Sequence, residues 1–185
     1  MHITLYKELM MVKKVAVALS CLVLGGTLHA AELSEVKQFI GFEAGAAKIQ
    51  ADTFLVNDYE GDDVELGLRL GAQNEAWRTM LVFDYFDSSD DDQNYEKGLV
   101  QFDYYLFNNE SESFSFRPFI GINAGYMNYE SEGIDESGFL YGGQAGFIFG
   151  VTEHFDIDVM YRYSLTDAAQ TDHVESVVVG LNYFY

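Results

Sequence analysis

Hydrophobic and polar residues alternate along most of this chain, with a period of two residues. In the segment VELGLRLGAQ, residues 64–73, apolar side chains occupy every second position, and charged, amide or glycine residues occupy the others. This period is typical of β-strands, because successive side chains point to opposite faces of a sheet. The same pattern predicts eight strands, at 39–50, 64–73, 77–87, 95–107, 114–129, 139–150, 155–164 and 174–185.

The connections between the predicted strands alternate between two kinds. Long or acidic connections lie at 51–63, 88–94, 130–138 and 165–173. Shorter ones lie at 74–76, 108–113 and 151–154. Tilted strands of about 9–11 residues, joined alternately by long outer loops and short turns, are typical of outer-membrane barrels. We therefore predict an all-β fold, an eight-stranded antiparallel up-and-down transmembrane β-barrel, in which both chain ends lie on the side of the short turns.

One face of each predicted strand carries almost no charge. A soluble sandwich would bury this face in its core, whereas a membrane barrel would turn it to lipid. Its residues are Ile40, Phe42, Ala44, Leu66, Leu68, Leu70, Leu81, Phe83, Val100, Phe102, Tyr104, Ile120, Ile122, Ala124, Ala145, Phe147, Ile157, Val159, Val177, Val179 and Leu181.

The opposite face carries charged residues, the amides of Gln101, Asn123, Gln144 and Asn182, and many glycines, which would leave room for long side chains to cross a narrow lumen. Six acidic and five basic residues on this face can pair with one another, as buried charges require. We expect them to form a polar network inside the barrel, with Arg69, Arg117 and Arg162 facing Glu43, Glu65 and Asp103. The predicted network consists of Glu43, Glu65, Arg69, Arg78, Asp84, Lys97, Asp103, Arg117, Asp156, Asp158 and Arg162.

Aromatic residues cluster near both ends of the apolar face. Two aromatic girdles flanking an apolar band are expected of outer-membrane barrels, and they favour a membrane barrel over a soluble β-domain. The girdle at the turn end would contain Trp77, Phe116, Phe149, Phe155, Tyr183 and Tyr185, and the girdle at the loop end Tyr85, Tyr126, Tyr141 and Tyr163.

The N-terminus has the features of a secretory signal peptide. Lys13 and Lys14 precede an apolar stretch at 15–28, which is too short to span a bilayer comfortably. We predict a signal peptide over 1–30, with cleavage at Ala30 or Ala31, export through the Sec pathway and a barrel domain over 31–185. Met10 and Met11 are alternative start positions for the chain.

The net charge bears on nucleic-acid binding, and the cysteine content bears on disulfide formation. Removal of residues 1–30 takes away three lysines and one glutamate, which leaves 7 basic and 29 acidic residues and a net charge near −22. Phosphates would repel such a chain, so we expect no nucleic-acid partner. The one cysteine, Cys21, lies in the predicted signal peptide, so we expect no disulfide in the mature chain.

Three segments resemble a known family. FRPFIGINAGY at 116–126, YGGQAGFIFGVTEHFDIDVMYRYS at 141–164 and the terminal aromatic strand are similar to the small bacterial outer membrane protein β-barrel domain family, the OmpA/OmpX-like barrels, here without a peptidoglycan-binding domain. The resemblance implies an eight-stranded barrel inserted by the barrel-assembly machinery. It also implies a C-terminal insertion signal, in which the final Tyr replaces the commoner Phe, formed by Val177, Val179, Leu181, Tyr183 and Tyr185.

Sites for catalysis and for metal ions are weakly indicated. Asp87, Ser88 and His173 could meet at the outer rim, an arrangement loosely similar to lipid A acyltransferases or deacylases, but no local motif supports a triad. The alternating acids of DYEGDDVE, residues 58–65, are hard oxygen ligands that could bridge Ca²⁺ or Mg²⁺ to lipopolysaccharide. We predict no enzyme activity, no cofactor and no dedicated metal site.

We thus predict an integral protein of the Gram-negative outer membrane with a structural or surface-interaction role. Its partners would be the lipid bilayer, lipopolysaccharide, the barrel-assembly machinery and an extracellular partner of its acidic loops, and it would be a monomer. The first alternative is a small porin-like channel. The less favoured alternative is a lipid A acyltransferase or deacylase active at the rim.

Overall fold

The computed structural model describes residues 36–51, 59–88, 93–111, 114–131, 134–168 and 173–185. The predicted signal peptide and its cleavage site at Ala30 or Ala31 lie outside these residues. No helix in the described part of the chain is long and apolar enough to cross a membrane. Nine strands are described: β1 (Lys37–Ala51), β2 (Tyr59–Gln73), β3 (Trp77–Ser88), β4 (Gln93–Tyr105), β5 (Asn109–Ser111), β6 (Phe114–Ser131), β7 (Ile134–Gly150), β8 (Phe155–Thr166) and β9 (His173–Phe184).

Eight of these strands close into an antiparallel barrel. Each long strand pairs with the next long strand, β4 pairs with β6, and β9 returns to pair with β1. A path of register partners that starts at Phe39 and passes once around the eight strands returns to β1 at Ile49, ten residues further along. This stagger requires the strands to tilt relative to the barrel axis. The predicted eight-stranded barrel is confirmed.

The short strand β5 was not predicted, and it follows an interruption of the β4–β6 ladder. Leu106 N–H donates to the carbonyl of Pro118 over 2.9 Å. Pro118 has no N–H to donate in return, so the regular ladder ends at this pair. Three residues later the chain pairs with β6 again, through Asn109 opposite Phe116.

Strand pairing continues further toward the loop side than the sequence predicts. The connection expected at 130–138 shortens to residues 132–133, because β6 and β7 remain paired as far as Ser131 and Ile134. Likewise, β1 and β2 pair as far as Ala51 and Tyr59. Beyond the lipid layer a hairpin needs only backbone pairing, so its strands lose the apolar alternation that identified them in the sequence.

Two of the short turns are stabilised by their own side chains. The Asn74 side-chain oxygen accepts hydrogen bonds from the N–H groups of Ala76 (2.8 Å) and Trp77 (2.9 Å). The Thr152 hydroxyl accepts from the N–H groups of His154 (3.2 Å) and Phe155 (3.1 Å). Such local bonds favour tight turns, and here they start β3 and β8.

The two faces of the barrel have the opposite polarity to those of a soluble protein. Phe42 is 63% exposed and Ile122 67%, whereas Arg69 and Asp158 are fully buried. Of the predicted outward-facing apolar residues, Leu81 is the one that is buried, at 8% exposure. A continuous exposed apolar belt around a charged interior is stable in lipid and would aggregate in water.

Aromatic rings contact one another at both ends of the belt. At the turn end the Phe116 ring lies 5.5 Å from Phe147 and 5.4 Å from Phe149, and Phe155 lies 5.1 Å from Tyr183. At the loop end Phe139 lies 6.3 Å from Tyr141. These positions fit two membrane interfaces.

The last residues of the chain complete the seam between β9 and β1. The Phe184 ring is buried 5.5 Å from Phe39, and its N–H donates to the His154 carbonyl over 2.8 Å. Tyr185 N–H donates to the Gln38 carbonyl over 3.3 Å.

We expect deletion of Phe184 and Tyr185 to reduce membrane insertion severely, since closure loses these contacts and the predicted insertion signal loses its end. Outer-membrane fractionation and heat-modifiable gel mobility measure the folded fraction.

Deletion of residues 89–92 is the matched control, because it shortens an outer connection and leaves the seam intact. We expect this loop variant to insert nearly as well as the wild type. Normal insertion of the C-terminal truncation would contradict the assigned importance of the seam.

Candidate functional site

The candidate site is the charged network inside the barrel, which shares the interior with buried apolar side chains. All eight long strands contribute polar side chains at their inward positions, since every second residue of each strand faces the lumen. Ten of the eleven charged residues predicted for the interior are at most 4% exposed, and the Arg117 side chain is 12% exposed. Because water does not reach the ten buried side chains, they depend on one another for compensation.

Arg78 is the centre of the half of the network nearer the short turns. Its Nε donates to Asp103 Oδ2 over 2.9 Å, and its Nη1 donates to Asp158 Oδ2 over 2.8 Å. Asn182 Nδ2 donates to Asp156 Oδ1 (2.7 Å) and to Asp158 Oδ2 (2.9 Å). One guanidinium and one amide thus hold three carboxylates.

Arg162 and Lys97 hold three carboxylates in the half nearer the loops. Arg162 Nη2 donates to Glu43 Oε1 over 2.8 Å, and Nη1 donates to Asp84 Oδ2 over 3.0 Å. Lys97 Nζ lies 2.5 Å from Glu65 Oε2 and 3.3 Å from Asp84 Oδ2. These two cations and three anions form a compact cluster.

Arg69 joins the two halves. Its Nη1 donates to Asp158 Oδ2 over 2.7 Å, and its Nε donates to Glu43 Oε2. Since Asp158 belongs to the Arg78 cluster and Glu43 to the Arg162 cluster, Arg69 makes the network continuous from β8 to β1.

A chain of neutral polar side chains extends the network from Asp103 toward β8. Gln144 Nε2 donates to Asp103 Oδ1 over 2.7 Å, and Asn123 Nδ2 donates to Gln144 Oε1 over 2.8 Å. Ser164 Oγ donates to Asn123 Oδ1 over 2.8 Å. The sequence analysis did not select Ser164, although the alternation along β8 places it on the inward face and could have identified it.

Arg117 pairs with an acid outside the three, Glu43, Glu65 and Asp103, that the sequence analysis placed opposite the arginines. Asp103 pairs with Arg78, its direct register partner on the adjacent strand. Arg117 instead lies 3.4 Å from Asp156 Oδ2, with its guanidinium 5.1 Å from the centre of the Tyr105 ring. The strand register explains the pairing of Asp103 with Arg78, because cross-strand neighbours are the nearest available partners. Arg69 and Arg162 both contact Glu43.

Glycines on the inward face give the long side chains their space. A methyl group at Gly180 would overlap the Arg69 guanidinium, and one at Gly67 would overlap the Asp84 carboxylate. By contrast, a methyl group at the outward-facing Gly143 would approach only the Gly121 carbonyl, at 3.3 Å. The glycines beside Arg69 and Asp84 are therefore part of the network.

The geometry of the interior gives little room for a metal ion. Oxygens of Glu43, Glu65 and Asp84 lie within 4.8 Å of one another, and among the described residues this is the one acidic group so close together. Lys97 and Arg162 already contact these carboxylates and supply the positive charge. In the 58–65 segment, Asp58 and the side chains of Glu60, Asp62 and Asp63 lie outside the part of the chain that the structure describes.

The suggested rim triad is divided between separate strands. Ser88 ends β3, whereas His173 begins β9, and β1 and β2 lie between these two strands. The His173 ring stacks on Tyr163 at 5.0 Å. The backbone therefore does not bring Ser88 and His173 onto adjacent strands.

Comparison with solved structures identifies the fold. Neisserial surface protein A has a TM-score of 0.60 at 12% identity, over 82% of this chain and 100% of that one. Outer membrane protein H (OprH) from P. aeruginosa has a TM-score of 0.56 at 19% identity, over 80% and 99%. This chain has the fold of a small outer-membrane β-barrel. Outer membrane protein AlkL has a TM-score of 0.50 at 8% identity, over 80% of this chain and 90% of that one.

No protein-family model and no curated protein sequence matches the chain. The resemblance to small OmpA/OmpX-like barrels drawn from sequence is confirmed at the level of the fold. The outer-membrane location predicted from sequence agrees with this fold and with the exposed apolar belt.

Removal of Arg69 tests the network. We expect Arg69→Met to lower the free energy of unfolding by about 3–5 kcal/mol, because Glu43 and Asp158 then lose a buried cationic partner. Urea unfolding of the barrel in phospholipid vesicles measures this difference.

Arg117→Met is the matched control, since Arg117 is partly exposed and makes one long ion-pair contact. We expect it to cost at most about 1 kcal/mol, as exposed pairs do. Equal losses for the two variants would show that the continuous network does not determine stability.

Proposed function

We propose that this protein is an integral outer-membrane barrel with a closed interior, which serves a structural or surface-interaction role through its acidic outer loops. The observation that carries the proposal is the continuous network joined by Arg69. Its ion pairs cross the lumen between β3 and β8, which lie on opposite sides of the barrel: Arg78 pairs with Asp158, and Arg162 pairs with Asp84. The charged ends of these side chains are buried. A solute could pass only by displacing several paired charges.

The small porin-like channel is the weaker alternative on energetic grounds. Side chains just fill the interior of an eight-stranded barrel. Opening a path would separate Arg69 or Arg162 from buried carboxylates, and breaking one buried pair costs about 3–5 kcal/mol. The paired charges of the interior therefore favour a closed lumen over a channel.

The charge of the chain supports a role at the surface. The segments at 51–63 and 88–94 are rich in aspartate, and they connect strands at the end opposite the short turns. In outer-membrane barrels the longer connections are extracellular. We infer that they meet lipopolysaccharide or an extracellular partner, with divalent cations reducing the repulsion between carboxylates and lipid phosphates.

Planar-bilayer recording tests the closed interior. We expect the wild-type barrel to show no large, steady conductance. The double variant Glu43→Ala/Arg69→Ala removes a cation and an anion together, so it leaves the charge balance unchanged while emptying part of the lumen, and we expect it to conduct more than the wild type. Large, steady currents from wild-type protein with normal heat-modifiable mobility would favour the channel.

Lipid A analysis tests the enzymatic alternative. We expect expression of the protein to leave the mass spectrum of lipid A unchanged, because Ser88 and His173 lie on strands that β1 and β2 separate. The Ser88→Ala and His173→Ala variants are the controls. A change of lipid A mass that both variants abolish would establish a hydrolase or acyltransferase instead.

A further inference from the structure

The carboxylates inside the barrel outnumber the basic side chains by one. Among the described residues the lumen contains six acids and five bases. Sharing gives every one of these carboxylates a cationic contact, but it leaves one negative charge in excess. Because a charge enclosed away from water requires compensation, the excess has to be neutralised within the lumen.

Three buried carboxylates lie close together in the half of the lumen nearer the loops. We call Glu43, Glu65 and Asp84 the loop-side carboxylates; their oxygens lie within 4.8 Å of one another. Like charges at this separation repel strongly, and carboxyl groups that share a buried site commonly share a proton. Lys97 and Arg162 already contact these groups, which leaves a proton as the remaining source of positive charge.

The carboxylates nearer the short turns receive hydrogen bonds from neutral amides as well as from cations. Gln144 Nε2 donates to Asp103, and Asn182 Nδ2 donates to both Asp156 and Asp158. A hydrogen bond donated to an ionised carboxylate stabilises its charge. The hydrogen bonds described for the loop-side carboxylates come instead from cations. The excess charge is therefore least compensated on the loop side.

Asp84 is the most weakly held of the loop-side carboxylates. Its Oδ2 lies 3.0 Å from Arg162 Nη1 and 3.3 Å from Lys97 Nζ. Arg162 lies closer to Glu43, at 2.8 Å, through its Nη2. Lys97 likewise lies closer to Glu65, at 2.5 Å. The other oxygen of Asp84, Oδ1, is buried and accepts no hydrogen bond from the described residues, so a proton there leaves both contacts of Oδ2 in place.

We propose that Asp84 holds a proton in the folded barrel at neutral pH and so completes the neutralisation of the interior. The charged groups that face Asp84 are Glu43 on β1, Glu65 on β2, Lys97 on β4 and Arg162 on β8. Among the described residues, β6, β7 and β9 contribute uncharged side chains to this half of the lumen. A neutral Asp84 leaves five carboxylates for five bases.

The proton makes the stability of the barrel depend on pH, a property beyond the role proposed above. An unfolded aspartate has lost its proton above about pH 4, whereas the folded chain retains it, so folding takes up one proton. The unfolding equilibrium constant therefore rises with pH, by up to about tenfold per pH unit, until the folded chain also releases the proton. Alkaline pH then leaves an uncompensated charge among the loop-side carboxylates.

Infrared spectroscopy of the barrel in phospholipid vesicles detects the proton directly. The C=O stretch of a protonated carboxyl is separate from the bands of ionised carboxylates, and exposed acids are ionised at neutral pH. We expect the wild-type barrel to show this band at neutral pH, to shift it in D2O and to lose it on alkaline titration. We expect Asp84→Asn to lack the band at every pH.

Urea unfolding in the same vesicles provides an independent measurement. We expect the unfolding equilibrium constant of the wild type to rise with pH across the neutral and mildly alkaline range. Asp84→Asn removes this contribution, because an amide stays neutral at every pH. At neutral pH we expect this variant to be nearly as stable as the wild type, since the amide replaces a carboxyl group that is already neutral.

Asp103→Asn is the matched control, since both oxygens of Asp103 accept hydrogen bonds, from Arg78 and from Gln144. We expect this variant to keep the infrared band and to be less stable than the wild type at neutral pH. Heat-modifiable mobility verifies that each variant is folded. The wild-type titration requires no substitution, so it tests the proton even where a variant does not fold.

Three outcomes would overturn the proposal. They are a wild-type spectrum without a protonated-carboxyl band at neutral pH, a band that persists in Asp84→Asn, and the same pH dependence of unfolding in the wild type and in Asp84→Asn.

Discussion

The structure depends on the requirement that a chain surrounded by lipid must satisfy its own backbone hydrogen bonds. The eight long strands meet this requirement through a ladder in which β9 returns to β1, so that no long strand has an unpaired edge within the belt. Closure in turn creates a lumen, and the two-residue period of a strand places every second side chain inside it. Closure thus encloses the charged residues that the sequence places on the inward face of each strand.

A narrow lumen makes pairing of its charges obligatory. Arg69 and Arg78 each contact two carboxylates, and Arg162 contacts three. Asp158 accepts from both Arg69 and Arg78. This sharing allows five bases to compensate six acids in a space that eight strands can enclose. Glycines such as Gly180 complete the arrangement, because a methyl group there would occupy the position of the Arg69 guanidinium.

The same geometry separates the chemistry of the protein into three regions. Paired charges lie in the interior, exposed apolar side chains form the outer belt, and acidic residues are frequent in the sequence between the strands. Function therefore has to be sought at the outer surface and in the connections.

Much of this organisation could be predicted from the sequence. A period of two identifies a strand and assigns its side chains to faces without knowledge of the neighbouring strands, which is why residues such as Glu43 and Arg162 were placed inside. The strand ends were less predictable, because outside the membrane the ladder between β6 and β7 continues without an apolar face. The short β5 also escaped prediction, since it depends on Pro118 in another strand.

The sequence by itself determined the number of long strands, the side of each strand that faces the lumen and the balance of charge there. The tertiary structure alone decided which charges meet. Arg78 pairs with Asp103, and Arg117 pairs with Asp156. Arg69 connects the cluster around Arg78 with the cluster around Arg162. The physical reason is that the face of a side chain follows from its own strand, whereas its partner depends on register and on the stagger with which the barrel closes.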